Sequence, residues 1–304
     1  MSERRSHEKA VAACYSTWGS TYYDDYYGEN APYTPVHRDL LRQLLQKSGA
    51  KSLLDAGCGP ASLLRDIADL DLELYGFDLT PEMVEEAKRI FDSRALGPER
   101  IWLGSVLDPH AYRHPEGEGP DQYEAVVCIG VLPHLPAEAD VTVLAHLREA
   151  VAPGGLVVVE ARNQLFSLFT VNRYSYEFIV NDLIRSSDLR DRLGGQGDVL
   201  DNELERLKKS FRMDLPPIRK GKKDEPGYDE IISRTHNPLV LAKQMTEAGY
   251  TDVSTHFYHF HCLPPLCGQA FPEEFERESL AMENPDDWRG LFMASAFMLS
   301  GRRA

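Results

Sequence analysis

Between about Lys51 and Glu160 the chain alternates short apolar runs with stretches of helical periodicity. Ser52–Ala56, Leu72–Phe77, Ala125–Ile129 and Leu156–Glu160 each read as a buried strand, since a short, nearly unbroken apolar run suits a parallel sheet covered on both faces. A helix carrying Leu63, Leu64 and Ile67 is expected after the first run. Another follows the second run, with Thr80 at its N-cap, Pro81 at its first position and an apolar stripe of Met83, Val84, Ala87, Ile90 and Phe91. Strand–helix–strand alternation of this kind predicts a parallel sheet with helices on both faces. Upstream, the aromatics Tyr15, Trp18, Tyr22, Tyr23, Tyr26, Tyr27 and Tyr33 precede an amphipathic helix in which Leu40, Leu41, Leu44 and Leu45 recur at helical spacing.

From Asn163 to His236 the rhythm is interrupted. The pattern predicts a Phe/Tyr-rich helix over Leu165–Ile184, a break at Gly194, Gly195 and Gly197, and a basic, proline-containing loop. It then returns with a helix over Pro238–Ala248, a strand near Val253–Cys262 and a last apolar strand near Leu291–Leu299.

Composition narrows the class. With 304 residues, 42% hydrophobic and 27% charged, the chain is an ordinary globular protein rather than a disordered, collagen-like or coiled-coil one. The 33 Lys and Arg against 48 Asp and Glu leave a net charge of −15, which argues against nucleic acid as a partner and against a charge-held membrane surface. Five scattered cysteines with no CxxC pair suggest neither a disulfide framework nor a zinc ribbon. No apolar run is long enough to span a bilayer, and the polar start MSERRSHEKA leads into no signal-peptide core, so the chain reads as cytoplasmic.

The sharpest chemical signal is Asp55-Ala56-Gly57-Cys58-Gly59, where an apolar strand ends in an acid and turns through two glycines into a helix. Glycines let backbone approach a ligand closely, and the helix start offers unpaired N–H groups. Asp78 ends the next strand, where an acid accepts hydrogen bonds from both hydroxyls of a nucleoside ribose. A dinucleotide and S-adenosylmethionine both fit that much. A dinucleotide loop wants a third glycine where this chain has Ser62, and Asp55 would repel a diphosphate. The sulfonium and ammonium of S-adenosylmethionine suit an acid there, so the reading favours the methyl donor over NAD.

On these motifs the sequence resembles the class I S-adenosylmethionine-dependent methyltransferases, of the group that holds the ubiquinone-biosynthesis O-methyltransferases. The resemblance covers Lys51–Glu160 well and the Pro238–Ala248 helix and closing strand more loosely. It implies an α/β fold: a Rossmann-like, seven-stranded, mostly parallel sheet with an antiparallel last strand and a helical lid insertion, built as a single domain. The segments would be 1–50, a helical lid over the cofactor; 51–162, the core; 163–236, the insertion; and 237–304, the remainder of the core.

The resemblance also assigns roles. Asp55, Gly57, Cys58 and Gly59 would form the cofactor loop and Asp78 would hold the ribose, with Leu79 and Met83 beside the adenine. The family's later Gly-Asp-hydrophobic element is here Gly104-Ser105-Val106, so the adenine amino contact would pass from an acid to Ser105 or to backbone. Tyr123–Leu135 matches the substrate-side strand and following helix, with Ile129 on the cofactor. The N-terminal segment would close over the donor through Tyr22, Tyr26 and Tyr33, with Arg38 on its carboxylate.

Methyl transfer is a displacement that mainly needs alignment; a base is required only where the acceptor is protonated. His134 and His236 are the candidates, and each also reads as a packing histidine. His259 and His261 would share a strand face with His256 opposite, and no acid or cysteine completes a metal set, so no metal is expected. Arg162, Asn163, Phe166, Tyr174 and Tyr258 are candidates for the acceptor's side. Eight basic residues between Arg206 and Lys223, against Asp214 alone, would guide an anionic acceptor, while the Phe/Tyr-rich stretch suits an aromatic one. The expected activity is methylation of a hydroxyl or carboxyl oxygen on a small biosynthetic intermediate. N-methylation of a small amine, or of a protein acceptor, stays open, as does a homodimer.

Overall fold

In the computed structural model, residues 2–16, 22–23, 34–215 and 231–304 are described, with side chains from His7 onward. Helices α1 (Ser2–Tyr15) and α2 (Val36–Ser48) precede the first strand, and α2 buries Leu40, Leu41 and Leu45 from its leucine stripe. There follow β1 (Ser52–Ala56), α3 (Ser62–Asp66), β2 (Glu73–Asp78), α4 (Pro81–Ser93), β3 (Ile101–Leu103), β4 (Tyr123–Cys128), α5 (Ala139–Ala150) and β5 (Val151–Arg162). Strands β6 (Tyr250–Phe260) and β7 (Ala294–Arg303) complete a seven-stranded sheet of order β3-β2-β1-β4-β5-β7-β6. The pairings β1–β2, β1–β4, β2–β3 and β4–β5 are parallel, and the last strands are antiparallel.

Burial follows the apolar pattern. Leu53, Leu54 and Ala56 of β1, Val126 and Val127 of β4 and Val157, Val158 and Val159 of β5 are wholly enclosed, as strands covered on both faces must be. All five stripe residues of α4 are buried. In the parallel register Ala56 lies beside Phe77 and Asp78 beside Leu103, so β1, β2 and β3 end along one edge. From β1 the chain steps outward to β2 and β3, then crosses back to place β4 on the other side of β1. Such a reversal leaves a crevice at the carboxyl ends of the strands, where open α/β sheets take ligands.

The chain divides into two compact units. The first comprises Met1–Arg162, Ile218–His256 and Phe297–Ala304; the second, Asn163–Pro217 and Phe257–Ala296.

Three local expectations need correction in this second region. The aromatic helix of Leu165–Ile184 is broken into short helices at Ser167–Thr170 and Arg173–Glu177, then a wide turn over Phe178–Leu183. Val171 takes a left-handed conformation (φ +52°), and Asn172 starts the next helix by accepting from the Tyr174 N–H. The closing strand begins only at Ala294, because Gly290–Met293 forms a helical turn. The alternation expected for the histidines of β6 fails at His259, whose φ of +56° breaks the pleat.

Candidate functional site

A cavity of about 770 Å³ opens at the carboxyl ends of β1–β4. Gly57 and Gly59 supply its floor, Asp78, Leu79, Thr80 and Met83 one side, and Gly104, Ser105 and Val106 the side beyond. Ile129, Gly130, Val131, His134 and Leu135 come from the end of β4 and the turn after it. The mix of apolar wall with few polar groups is that of a small-molecule site.

The glycine turn is held by the neighbouring strand. Gly57 and Cys58 donate their N–H groups to the Phe77 carbonyl at 2.8 and 3.0 Å, and Gly59 N–H donates to Asp78 Oδ2 at 2.9 Å. Gly57 sits at φ +91°, and a Cβ there would lie 2.3 Å from Val131 Cγ2, so only glycine closes this turn. Asp78 also accepts from the Thr80 N–H at 2.8 Å. Thr80 occupies the N-cap position of α4 as expected, but its hydroxyl turns to the Asp78 carboxylate and caps no helical N–H.

Asp78 on the wall thus has a second acid, Asp55, close by. Burial raises the pKa of Asp78, and the N–H groups of Thr80 and Gly59 offset part of that rise. Asp55 is buried beneath the turn, and its Oδ1 has no hydrogen-bond partner among the described residues. Burial first, and the charge of Asp78 second, push its carboxyl up to about 8. Burial likewise holds the Cys58 thiol well above its ordinary pKa.

The remaining wall comes from α1. His7, Glu8, Val11 and Tyr15 fall on one helix face and all line the cavity, with Tyr22 beyond them. Cys14, from the next turn, packs with Met83 and Ile231. Polar latches join this helix to the strand ends: Ser105 Oγ donates to Glu8 Oε1 at 2.6 Å, and His7 Nε2 donates to the His134 carbonyl at 2.6 Å. Tyr15 Oη lies 2.9 Å from His134 Nε2, ring edge to ring face. The tautomer follows from the other nitrogen, 2.9 Å from the Ile232 carbonyl, which can only accept. Nδ1 therefore carries the proton, and burial lowers the pKa to about 4, so neutral His134 accepts the Tyr15 hydroxyl proton at Nε2.

Residues 54–157, the stretch that builds the glycine turn, Asp78 and the end of β4, match the family described as a methyltransferase domain. This stretch is a class I methyltransferase domain. Among similar curated proteins is the ubiquinone biosynthesis O-methyltransferase of Yersinia pestis (strain Pestoides F), 28% identical over 143 residues, covering 46% of this chain and 55% of that protein. The chain thus spans about half the length of the curated relatives it matches. Similar solved structures include the CcbJ methyltransferase of Streptomyces caelestis (TM-score 0.54, 14% identity, 96% of this chain and 99% of that one). Another is magnesium protoporphyrin IX methyltransferase of Synechocystis PCC 6803 with bound S-adenosylhomocysteine (TM-score 0.50, 15% identity, 98% and 100%). At such identity the likeness is one of fold.

A methyltransferase domain of this class uses S-adenosylmethionine, and the residues present fit that group. The orphaned Asp55 oxygen and Asp78 on the wall suit a cation and a ribose, and neither offers a diphosphate a partner. Of the residues expected at the cofactor, Gly57, Gly59, Asp78, Leu79, Met83, Ser105, Val106, Ile129 and Tyr22 line the cavity of the methyltransferase domain. Asp55 and Cys58 lie under it. Tyr26 and Tyr33 fall outside the described residues. Arg38 is placed elsewhere: it pairs with Asp39 at 3.1 Å and Asp66 at 3.7 Å on the surface of α2.

The two histidines part company. His134 is a wall residue on a single helical turn (Leu132–His134) rather than a turn into a longer helix. His236 is not a wall residue: it is buried with Nε2 3.4 Å from Asp140 Oδ2, an acid that also takes Arg234 at 2.6 Å, which is a packing role. Arg162 donates to Ser233. In the second unit Asn163 spends its amide on the carbonyls of Gly290, Leu291 and Ala294 and accepts from Leu165 N–H, so its side chain ties backbone together. Phe166 packs on His261 at 4.8 Å, Tyr258 is buried against His259, and Tyr174 is partly exposed under Arg173. Burial in that packing lowers His261 to about 4. Sequence reasoning missed His7, Glu8 and Tyr15; their common helix face was the available signal.

Proposed function

We propose that the protein transfers the methyl group of S-adenosylmethionine to an oxygen of a small, ring-bearing acceptor. The observation that carries this is the Tyr15–His134 pair on the cavity wall. Gly57 and Gly59 would admit the cofactor, Asp78 would accept from its ribose hydroxyls and Asp55 would offset its positive charge. Bound there, the cofactor supplies a methyl group activated by a sulfonium.

The chain's own part is alignment and proton removal. With its hydrogen committed to His134 Nε2, Tyr15 Oη can take a further hydrogen bond only as an acceptor. An acceptor hydroxyl donating to Oη is thereby oriented, and its proton passes to Oη as the proton of Tyr15 passes to Nε2. His134 would then carry the charge and, with a pKa of about 4, pass its proton to solvent as the product leaves. Tyr15, Tyr22 and Leu135 offer a ring acceptor an apolar, partly aromatic wall. The name of the Yersinia relative, an O-methyltransferase, supports oxygen as the site of attack. Among the described residues no helix is long and apolar enough to cross a membrane, and all five cysteines are free; both support a cytoplasmic setting.

The test is to incubate the purified protein with isotopically labelled S-adenosylmethionine and fractionated metabolite pools. A ring compound gaining one labelled methyl on oxygen is the expected result. Label appearing only on amines or on protein would sink the oxygen reading.

A further inference from the structure

The cavity has a polar end that the glycine turn, Asp78 and the Tyr15–His134 pair leave unused. It lies where β3 ends, beyond Asp78 as seen from β1, because β2 stands between β1 and β3 in the sheet. Its sides are apolar: Leu79, Met83 and Val106. Its polar groups are Ser105 and, from α1, Glu8. The Ser105 hydroxyl is already engaged at both ends, donating to Glu8 Oε1 at 2.6 Å and accepting from the Leu107 N–H at 3.1 Å. Among the side chains of the described residues, what this end offers a ligand is therefore the carboxylate of Glu8, an acceptor only.

Given the proposed cofactor, with its ribose at Asp78 and its charged end over the glycine turn and Asp55, the purine falls between the apolar sides at this end. We infer that Glu8, held by Ser105 at the mouth of β3, reads the 6-amino edge of the cofactor's purine and rejects a 6-oxo purine. This rests on the cofactor reading above. A carboxylate accepts from an exocyclic amine and repels a carbonyl oxygen in the same place. The consequence reaches beyond the strand ends: base selection is delegated to a helix 97 residues away in sequence from its Ser105 latch, outside the stretch 54–157 that carries the family likeness. Ser105, which by itself could donate to either purine, is turned by Glu8 into a support.

The experiment is calorimetric titration of the whole chain with S-adenosylhomocysteine and with S-inosylhomocysteine, its 6-oxo analogue. A hydrogen bond to a charged group sets the scale of preference for the amino compound at about ten- to a hundredfold. In Glu8→Gln, whose amide can donate as well as accept, that preference collapses to about threefold or less, through weaker binding of the amino compound and tighter binding of the oxo one. Wild-type protein that binds both compounds equally overturns the inference without recourse to any variant. So does a preference that survives Glu8→Gln unchanged. Wild-type protein that binds neither removes the cofactor reading itself, and this inference with it.

Discussion

Asp55 is 2% exposed, its Oδ1 has no partner among the described residues, and Asp78 adds a second negative charge close by. The group pays for its burial by holding its proton to about pH 8. Two signs follow. The folded pKa stands above the unfolded value of 3.8, so the folded state binds the extra proton and stability falls as pH rises from about 4 to about 8. A cation in the cavity works the other way: it favours the carboxylate, so the proton leaves on binding and affinity for S-adenosylmethionine rises with pH until about 8. Titrations near pH 7 in two buffers of different ionisation enthalpy should show up to about one proton released, and Asp55→Asn should abolish the release. Proton release persisting in that variant would move its source elsewhere. Asp55, Gly57, Gly59 and Asp78 were legible in the sequence because their chemistry is local: an acid, a turn and a second acid at consecutive strand ends. Glu8 and Tyr15 were not, because each meets its partner across 97 and 119 residues. Arg38 and Asn163 were misread for the converse reason. Their residue types suit a ligand, and only packing shows those groups already spent on neighbours.

Helix α1 shows what a single element adds to this site. It places His7, Glu8, Val11 and Tyr15 on one face and its next turn into the Met83 and Ile231 cluster, so its side chains are pinned from two directions. Tyr15 is the member tied to proton transfer. A positioned acid–base group contributes about 10²–10⁴-fold to a rate, so Tyr15→Phe should lower kcat for a hydroxyl acceptor within that range and change KM little. His134 must be neutral to accept, and with a pKa of about 4 it remains so above about pH 5; its protonation should cost activity only as pH falls through about 4. A wild-type acid limb centred near the ordinary histidine value of 6.5 would show that the relay runs through another group. Strands β1, β2, β4 and β5 and helix α4 were readable as elements because each has a nearly unbroken apolar run or stripe, whereas the three residues of β3 are too short a run to register. The stretch Leu165–Ile184 has the apolar content of one helix but is cut at Asn172. There an asparagine accepts from the N–H two residues on, and Thr170 and Ser175 share hydrogen bonds around it. Periodicity does not register such a local competition.

At the scale of the whole chain, the ligand's free energy enters one of two units. The described residues that line the cavity all come from Met1–Arg162, so a ligand there stabilises that unit by mass action whatever the acceptor turns out to be. At a hundredfold excess over Kd the gain is about 2.7 kcal/mol. For a domain of roughly 150–250 residues each kcal/mol moves Tm by about 2–4 °C, so S-adenosylhomocysteine should raise Tm by about 5–10 °C in scanning calorimetry. NAD is the informative control, because it shares the adenosine and replaces the zwitterionic amino-acid end with a diphosphate. The chain carries a net charge of −15, and Asp55, which holds its proton to about pH 8 beside Asp78, can ionise toward a cation at the turn but gains nothing from a diphosphate there. A nucleoside site that recognised adenosine alone would be stabilised by both compounds. One whose acids select the charge of the ligand's far end should respond to S-adenosylhomocysteine and leave Tm with NAD unmoved, and equal shifts would refute the assignment of those acids.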